Sequence, residues 1–376
     1  MKVVVAIDSF KGSLSSFEAG TAVKEAVLSV DPTAEALVCS IADGGEGTVA
    51  ALRDSLASET VELCVADPLM RSIAAEYIVL SDGKTAVIEM AAASGLTLLS
   101  EEERNPYFTT TFGVGEMIKD AISRGCRRFI LGLGGSATND GGVGMLKALG
   151  FQFLNENGED IGLGAVGLSK LSSISFDKVI PEITECTFEA ACDVENPLCG
   201  DNGCSVVFSP QKGASAKAVP EMDEWLNNYA SVSKKFANTA DKDYPGAGAA
   251  GGMGFAVRTF LGGELKSGVD IILNEIGIEK YIKDADIVVT GEGRLDAQTV
   301  MGKAPIGVAR IAKKYNKSVI AFSGCIGDGA EILNENGIDA FFPILRNVVT
   351  LDEALLKDNA YKNLKNTAVQ VFRLLK

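Results

Sequence analysis

The sequence predicts an α/β protein, a Rossmann-like doubly wound parallel sheet interrupted by an inserted mixed α+β domain. Three observations carry this expectation. Short β-branched runs alternate with helix-spaced segments at both ends of the chain. The middle shows strand-like runs that follow one another with only turns between them. Finally, 376 residues, 47% hydrophobic and 23% charged, exceed one ordinary core but can fill two.

The first segment reads as a βαβ unit: "VVVAID" is a short β-branched run, "SSFEAGTAVKEAVLSV" has helical spacing behind a serine cap, and "EALVCSIAD" is a second strand. The same rhythm returns at the far end with "ADIVVTGEG", a helix over "APIGVARIAKKYN", the strand "KSVIAFSG", a helix near "AEILNENG", the strand "IDAFFPIL", and one final helix over "LDEALLKDNAYKNLKNTAVQVFRLLK". Five buried-type strands alternating with helices predict a parallel sheet. Between these pieces "ELCVAD", "AAEYIVL" and "TAVIEM" read as successive strands, followed by the helix "GVGEMIKDAISRG", the strand "RRFILGLGG", and the strands "FQFLN", "TFEAACDV" and "CSVVFSP". The predicted division is residues 1–63 plus 285–376 for the Rossmann-like domain and 64–284 for the insertion, with the active site in the crevice between them. Glycine-rich "GAGAAGGMG" and "GLGAVGLSK" are expected as loops, because apolar periodicity resumes at once on both sides.

Composition removes several kinds of chemistry. The chain has no histidine, so Ser-His-Asp and Cys-His nucleophiles, imidazole metal sites and histidine acid–base work are excluded. Its eight cysteines are scattered without CxxC spacing and read as reduced thiols. A formal net charge of −15 leaves no footprint for nucleic acid. No apolar run reaches the ~20 residues of a membrane span, and "MKVVVAIDSFKGS" turns polar too soon for a signal peptide, so a cytoplasmic protein without a membrane partner is expected.

In a doubly wound sheet ligands bind beyond the carboxyl ends of the strands, near the switch in strand order. Three predicted strand ends carry a carboxylate beside glycine: Asp8-Ser9-Phe10-Lys11-Gly12, Asp43-Gly44-Gly45-Glu46-Gly47, and Gly291-Glu292-Gly293-Arg294-Leu295-Asp296. Each alone is an ordinary cap or turn; three in one sheet point to a site. Glu292 and Asp296 lie four apart, and one helical turn would set both on one side, as carboxylates that hold magnesium require; an acid-rich first helical turn is the plain alternative. The stretch "GLGGSATNDGGVG", residues 132–144, holds six glycines in thirteen positions. Gly132-x-Gly134-x-x-Ala137 behind a strand is similar to a dinucleotide fingerprint, but it runs on into "SATNDGG" and no acidic strand tip follows at the usual distance. Hydroxyl and amide side chains among glycines suit phosphate oxygens better. No Walker A motif and no protein-kinase loop set is present. In "ACDVENPLCG", Asp193 ends a strand-like run, where it could take a hydroxyl proton or simply close an Asx-turn.

Taken together, "DSFKGSLSS", "ADGGEGT", "DPLMR", "RNPYFTTTFGVGE", "GLGGSATNDGG", "CDVENPLCG", "GAAGGMG" and "TGEGRLDAQTVMGKAPIGVA" resemble, in order and over essentially the whole chain, the type I glycerate kinase family. Met70 departs from it, standing where glycine is expected. The resemblance implies ATP- and Mg²⁺-dependent phosphorylation of D-glycerate, generally at the 2-hydroxyl. On that basis Asp193, Lys11 and Arg294 are the expected catalytic residues, with Asp193 orienting the hydroxyl and the two cations stabilising transferring charge. Ser9, Arg71 and Asn196 are expected at the substrate, Arg71 on its carboxylate. Gly134, Gly135, Ser136, Thr138, Asn139, Asp140 and Lys303 are expected at the nucleotide phosphates, and Asp8, Asp43, Glu46, Glu292 and Asp296 are the magnesium candidates. A homodimer is compatible with the sequence, which fixes no assembly. Two other readings stay open on residues alone: an NAD-dependent hydroxy-acid oxidoreductase and a non-catalytic small-molecule binding protein.

Overall fold

The computed structural model describes residues 1–45 and 47–376, so Glu46 lies outside the described residues. Among these the strands are β1 Lys2–Ile7, β2 Glu35–Val38, β3 Ser58–Ala66, β4 Ser72–Leu80, β5 Thr85–Glu89, β6 Arg128–Gly132, β7 Gln152–Leu154, β8 Ser173–Ser175, β9 Thr187–Ala191, β10 Glu264–Lys266, β11 Ile287–Leu295, β12 Ser318–Ile326 and β13 Ala340–Pro343. The chain divides into two compact units. Unit 1 comprises Met1–Asp43, Ala50–Leu56 and Val269–Lys376; unit 2 comprises Gly44–Val49 and Ala57–Gly268.

Unit 1 is built on a five-stranded sheet in the order β2-β1-β11-β12-β13, every pair parallel. Val3, Val4, Val5 and Ala6 are all fully buried, the run expected of a strand covered on both faces. Val3, Val5 and Ile7 join a core with Ala19, Val23 and Val27 of the helix Ser16–Val30 and with Leu364, Ala368 and Phe372 of the helix Lys357–Leu375. Ser15 caps the first of these helices in a capping box with Glu18. The strand order doubles back beside β1, which makes the gap between β1 and β11 the topological switch point. The long C-terminal helix expected over 351–376 is broken: Leu351–Leu355 ends at Leu356, whose ψ of 122° is extended, and Lys357–Leu375 starts anew. No proline or glycine marks the break; Thr350 and Glu353 close the short helix with their own capping box.

Unit 2 carries a six-stranded mixed sheet, β10-β9-β6-β5-β4-β3, and a small antiparallel pair, β7 with β8. β3, β4 and β5 are antiparallel neighbours, whereas β5, β6, β9 and β10 run parallel. The apolar helix Phe112–Ser123 and a large aromatic cluster fill its core, in which Phe129 stacks on Phe188 at 4.8 Å. One expected strand is corrected. "CSVVFSP" forms the short helix Cys204–Phe208, with Cys204 and Ser205 buried and Val206 and Val207 exposed. A five-residue apolar run does not distinguish strand from helix, and here Ser205 is drawn inward by Asn139. The glycine-rich stretch at 246–254 is a kinked helix start: Ala250, Gly251 and Gly252 all have positive φ. A Cβ on Gly251 would lie 2.2 Å from the Thr138 carbonyl oxygen, so two backbones meet there in a space that admits only glycine.

Candidate active site

In unit 1 the strand-end residues converge as the switch-point argument requires. Ser16 Oγ donates to the Ile7 carbonyl at 2.6 Å and accepts from Ile41 N–H at 2.8 Å, fixing the segments after β1 and β2 to each other. The chain after β1 closes a tight turn in which Phe10 N–H and Leu14 N–H each bond the other's carbonyl, with Gly12 at φ 78°. That turn presents Lys11, whose Nζ donates to Asp43 Oδ2 at 3.0 Å. Glu292, in β11, accepts from Thr299 Oγ1 at 2.8 Å and stands 3.7 Å from Lys303 Nζ. Lys11, Asp43, Glu292, Arg294 and Lys303 all line a pocket of about 350 Å³.

The charges of this cluster perturb one another. Burial raises the Asp8 carboxyl to about 7, the carboxylates of Asp43 and Glu292 push the same way, and the Ser9 N–H and Lys11 oppose them. Burial also raises Glu292, against Thr299, Lys303 and Lys11. Lys11 is pulled down by partial burial, but Asp43, Asp8 and Glu292 outweigh this and raise it. The cluster thus sets three carboxylates, Asp8, Asp43 and Glu292, among three cations, Lys11, Arg294 and Lys303, with burial the largest force on the two acids that are raised. Asp296 has a different local role. β11 continues through Leu295, so the helical turn expected to align Glu292 with Asp296 does not form. Asp296 instead caps the 3₁₀ turn Ala297–Val300, accepting from Gln298 N–H at 2.9 Å and from Arg294 Nε at 3.0 Å. Among the described residues, no three His, Cys, Asp or Glu side chains are grouped so as to hold a metal ion.

In unit 2 the segment 134–140 is largely inside the protein. Gly135 is exposed, whereas Ser136, Thr138, Asn139 and Asp140 are buried. Asp140 accepts from Thr110 Oγ1, Thr111 Oγ1 and the N–H groups of Thr111, Gly142 and Gly144, so its carboxylate organises the loop on itself. Burial still holds its pKa above the ordinary carboxylate value. Asn139 donates to Ser205 Oγ at 2.9 Å, and among the described residues the Thr138 hydroxyl and the Asn139 side-chain oxygen have no partner. Beneath the loop lies Lys212, which sequence reasoning missed: it is 2% exposed, and its ammonium donates to Ser136 Oγ at 2.8 Å and to the Thr138 carbonyl at 2.7 Å. Burial lowers it to about 8, with Cys204 and Asp140 opposing.

The remaining candidates of unit 2 have partners of their own. Arg71 is held by Asp67 at 2.5 Å and by Glu103 at 2.6 Å. Asp193, exposed beyond β9, accepts from Gly268 N–H at 3.1 Å, and Asn196 donates to the Asn202 carbonyl at 2.9 Å. Met70 has φ 65°, the left-handed region that favours glycine.

The model that describes the glycerate kinase family matches residues 3–376. The chain belongs to the glycerate kinase family. A glycerate kinase of Haemophilus influenzae is 46% identical over 375 residues, spanning 100% of this chain and 99% of its own. The glycerate 2-kinase of Escherichia coli is 46% identical over 364 residues, covering 97% and 95% of the two chains. A crystal structure from Salmonella typhimurium LT2, described as a glycerate kinase 2, superposes with a TM-score of 0.91 at 43% identity, covering 100% and 98%. As a member of this family the protein is a kinase, which displaces the oxidoreductase and non-catalytic readings.

Proposed function

We propose that this glycerate kinase transfers the γ-phosphoryl group of ATP, with Mg²⁺, to the 2-hydroxyl of D-glycerate, giving 2-phosphoglycerate and ADP. The observation that carries the reading is the charge arrangement between β1 and β11, where Lys11, Arg294 and Lys303 stand beside Asp8, Asp43 and Glu292 at a pocket. Phosphoryl transfer asks a protein chiefly to position the acceptor and neutralise the phosphoryl oxygens. Lys11 and Arg294 are exposed enough to turn toward such oxygens. The name of the Escherichia coli relative, glycerate 2-kinase, supports the 2-position.

Magnesium usually takes one or two carboxylates, with phosphate oxygens and water completing its shell. Asp43 and Glu292, with Asp8 behind them, fit that donor set; bound there, the ion would supply charge neutralisation between the phosphates. Asp193 accepts the 2-hydroxyl proton as the new O–P bond forms and the bond from the γ-phosphorus to the bridging oxygen breaks, releasing ADP. Arg71 exchanges its contact with Glu103 for the glycerate carboxylate, for which its forked donors are suited, while Ser9 and Asn196 contribute polar contacts to the substrate. The backbone N–H groups around Gly134 and Gly135 face phosphate oxygens. No helix among the described residues is long and apolar enough to cross a membrane, and a cytoplasmic location belongs to this proposal.

³¹P NMR of purified protein with ATP, Mg²⁺ and D-glycerate tests the reading in one spectrum. The expected result is the resonance of 2-phosphoglycerate. A 3-phosphoglycerate signal overturns the position, and ATP hydrolysis alone overturns the acceptor.

A further inference from the structure

The pocket of unit 1 also has an apolar part of its lining that the phosphoryl chemistry leaves unused. It comprises Ile344, Leu345, Leu351 and Leu355, and the break at Leu356 is what brings both C-terminal helices to this wall. Leu351 is 73% exposed, an uncovered apolar side chain on the pocket wall. Asn363 adds an amide to the lining, and among the described residues that amide has no hydrogen-bond partner. Apolar side chains, one uncommitted polar group and cations around about 350 Å³ make a cavity of small-molecule size. Their combination suits a flat, largely apolar ring carrying a polyanionic tail.

We infer that this apolar lining binds the adenine ring of ATP, with the Asn363 amide bonding the N6 and N7 edge of the base. The inference rests on the proposed use of ATP and adds where the nucleoside sits and what selects it. Adenine presents a donor beside an acceptor on that edge, the complement of a carboxamide, whereas guanine presents two acceptors there. The base contact is remote from the reacting phosphorus and is equally present before and during transfer, so its loss raises KM and spares kcat.

Cys325 lines the same pocket and is exposed, and Cys64 of unit 2 is exposed as well, so the two thiols make a paired reporter. Alkylation by iodoacetamide, followed by mass spectrometry, is expected to slow at Cys325 and stay unchanged at Cys64 when ATP is added. For Asn363→Leu, the expected result is a KM for ATP raised about tenfold with kcat retained, and a preference for ATP over GTP reduced by a similar factor, the usual worth of a good base contact. Turnover of ATP without protection of Cys325 overturns the location while leaving the kinase reading intact. An unchanged ATP-to-GTP ratio in a folded Asn363→Leu protein overturns the base contact. A wild-type enzyme that does not turn over ATP defeats the underlying function instead.

Discussion

Replacing Asp8 by Asn should make unit 1 more stable at neutral and alkaline pH while disabling the site. The Asp8 carboxyl is 5% exposed and is moved from its ordinary 3.8 to about 7. At about 1.4 kcal/mol for each pH unit, this costs the folded state about 4 kcal/mol once the group is ionised. The folded pKa lies above the unfolded one, so the unfolded chain gives up its proton first as pH rises. Stability therefore falls between about pH 4 and pH 7 and is level beyond. Asn keeps an oxygen that can accept the Ser9 N–H, which donates to Asp8 Oδ1 at 2.6 Å, and carries no charge. The assay is amide hydrogen exchange in EDTA on peptides from β1 and β11, where a signal from unit 1 is read without interference from unit 2. Wild type should lose protection from about pH 5 to about pH 7 and level off beyond; the variant should lose much less, with a residual slope from Glu292, which burial also raises. Parallel slopes in the two proteins, or a wild type that gains protection over this range, would refute the reasoning.

Two further expectations concern unit 2. Lys212→Met keeps the apolar stem but strips Ser136 and the Thr138 carbonyl of their donor, so turnover should fall about 10²-fold, as small misplacements of a reacting site do, with faster exchange of amides 134–138; wild-type turnover in this variant would separate the loop from the reaction. Met70→Gly relieves a left-handed residue and should raise the stability of unit 2 by about 0.5–1 kcal/mol in urea unfolding, after allowing for the greater freedom of glycine in the unfolded chain; a lower midpoint would show that Met70 packing outweighs its backbone cost.

Much of unit 1 was legible because parallel strands buried on both faces leave continuous apolar runs, and because the residues following those runs are the ones a doubly wound sheet brings together. Asp8, Lys11, Asp43 and Glu292 were reachable that way. Asp296 was misread through spacing: four residues apart means one side only in a helix, and Glu292 lies in a strand. Lys212 was beyond reach because nothing in "SPQKGAS" states that its lysine is buried; that depends on Ser136 and Thr138, more than seventy residues earlier in the chain. The break at Leu356 was hidden for a similar reason, since "ALLKDNAY" has neither proline nor glycine, good helix formers run up to Lys357, and only ψ at one leucine departs.

The pairing of β1 with β11 has a consequence for biosynthesis. Lys2 N–H bonds Asp286 Oδ2 across 284 residues, and Val3 is in register with Ile287. The ribosome therefore delivers Asp8 and Lys11 first and their partners from β11 almost last, with nearly all of unit 2 emerging in between. Unit 2 can gather its long continuous stretch and begin to fold while the first strand of unit 1, paired with β2, still waits for its second neighbour. A chain released early, at any point before β11, leaves the β11-facing edge of the apolar segment Val3–Ile7 unpaired and lacks Glu292, Arg294 and Lys303. Incomplete molecules are thus unable to assemble the charged part of the pocket and are marked for disposal by the strand edge they expose, which confines phosphoryl chemistry to chains that have been finished.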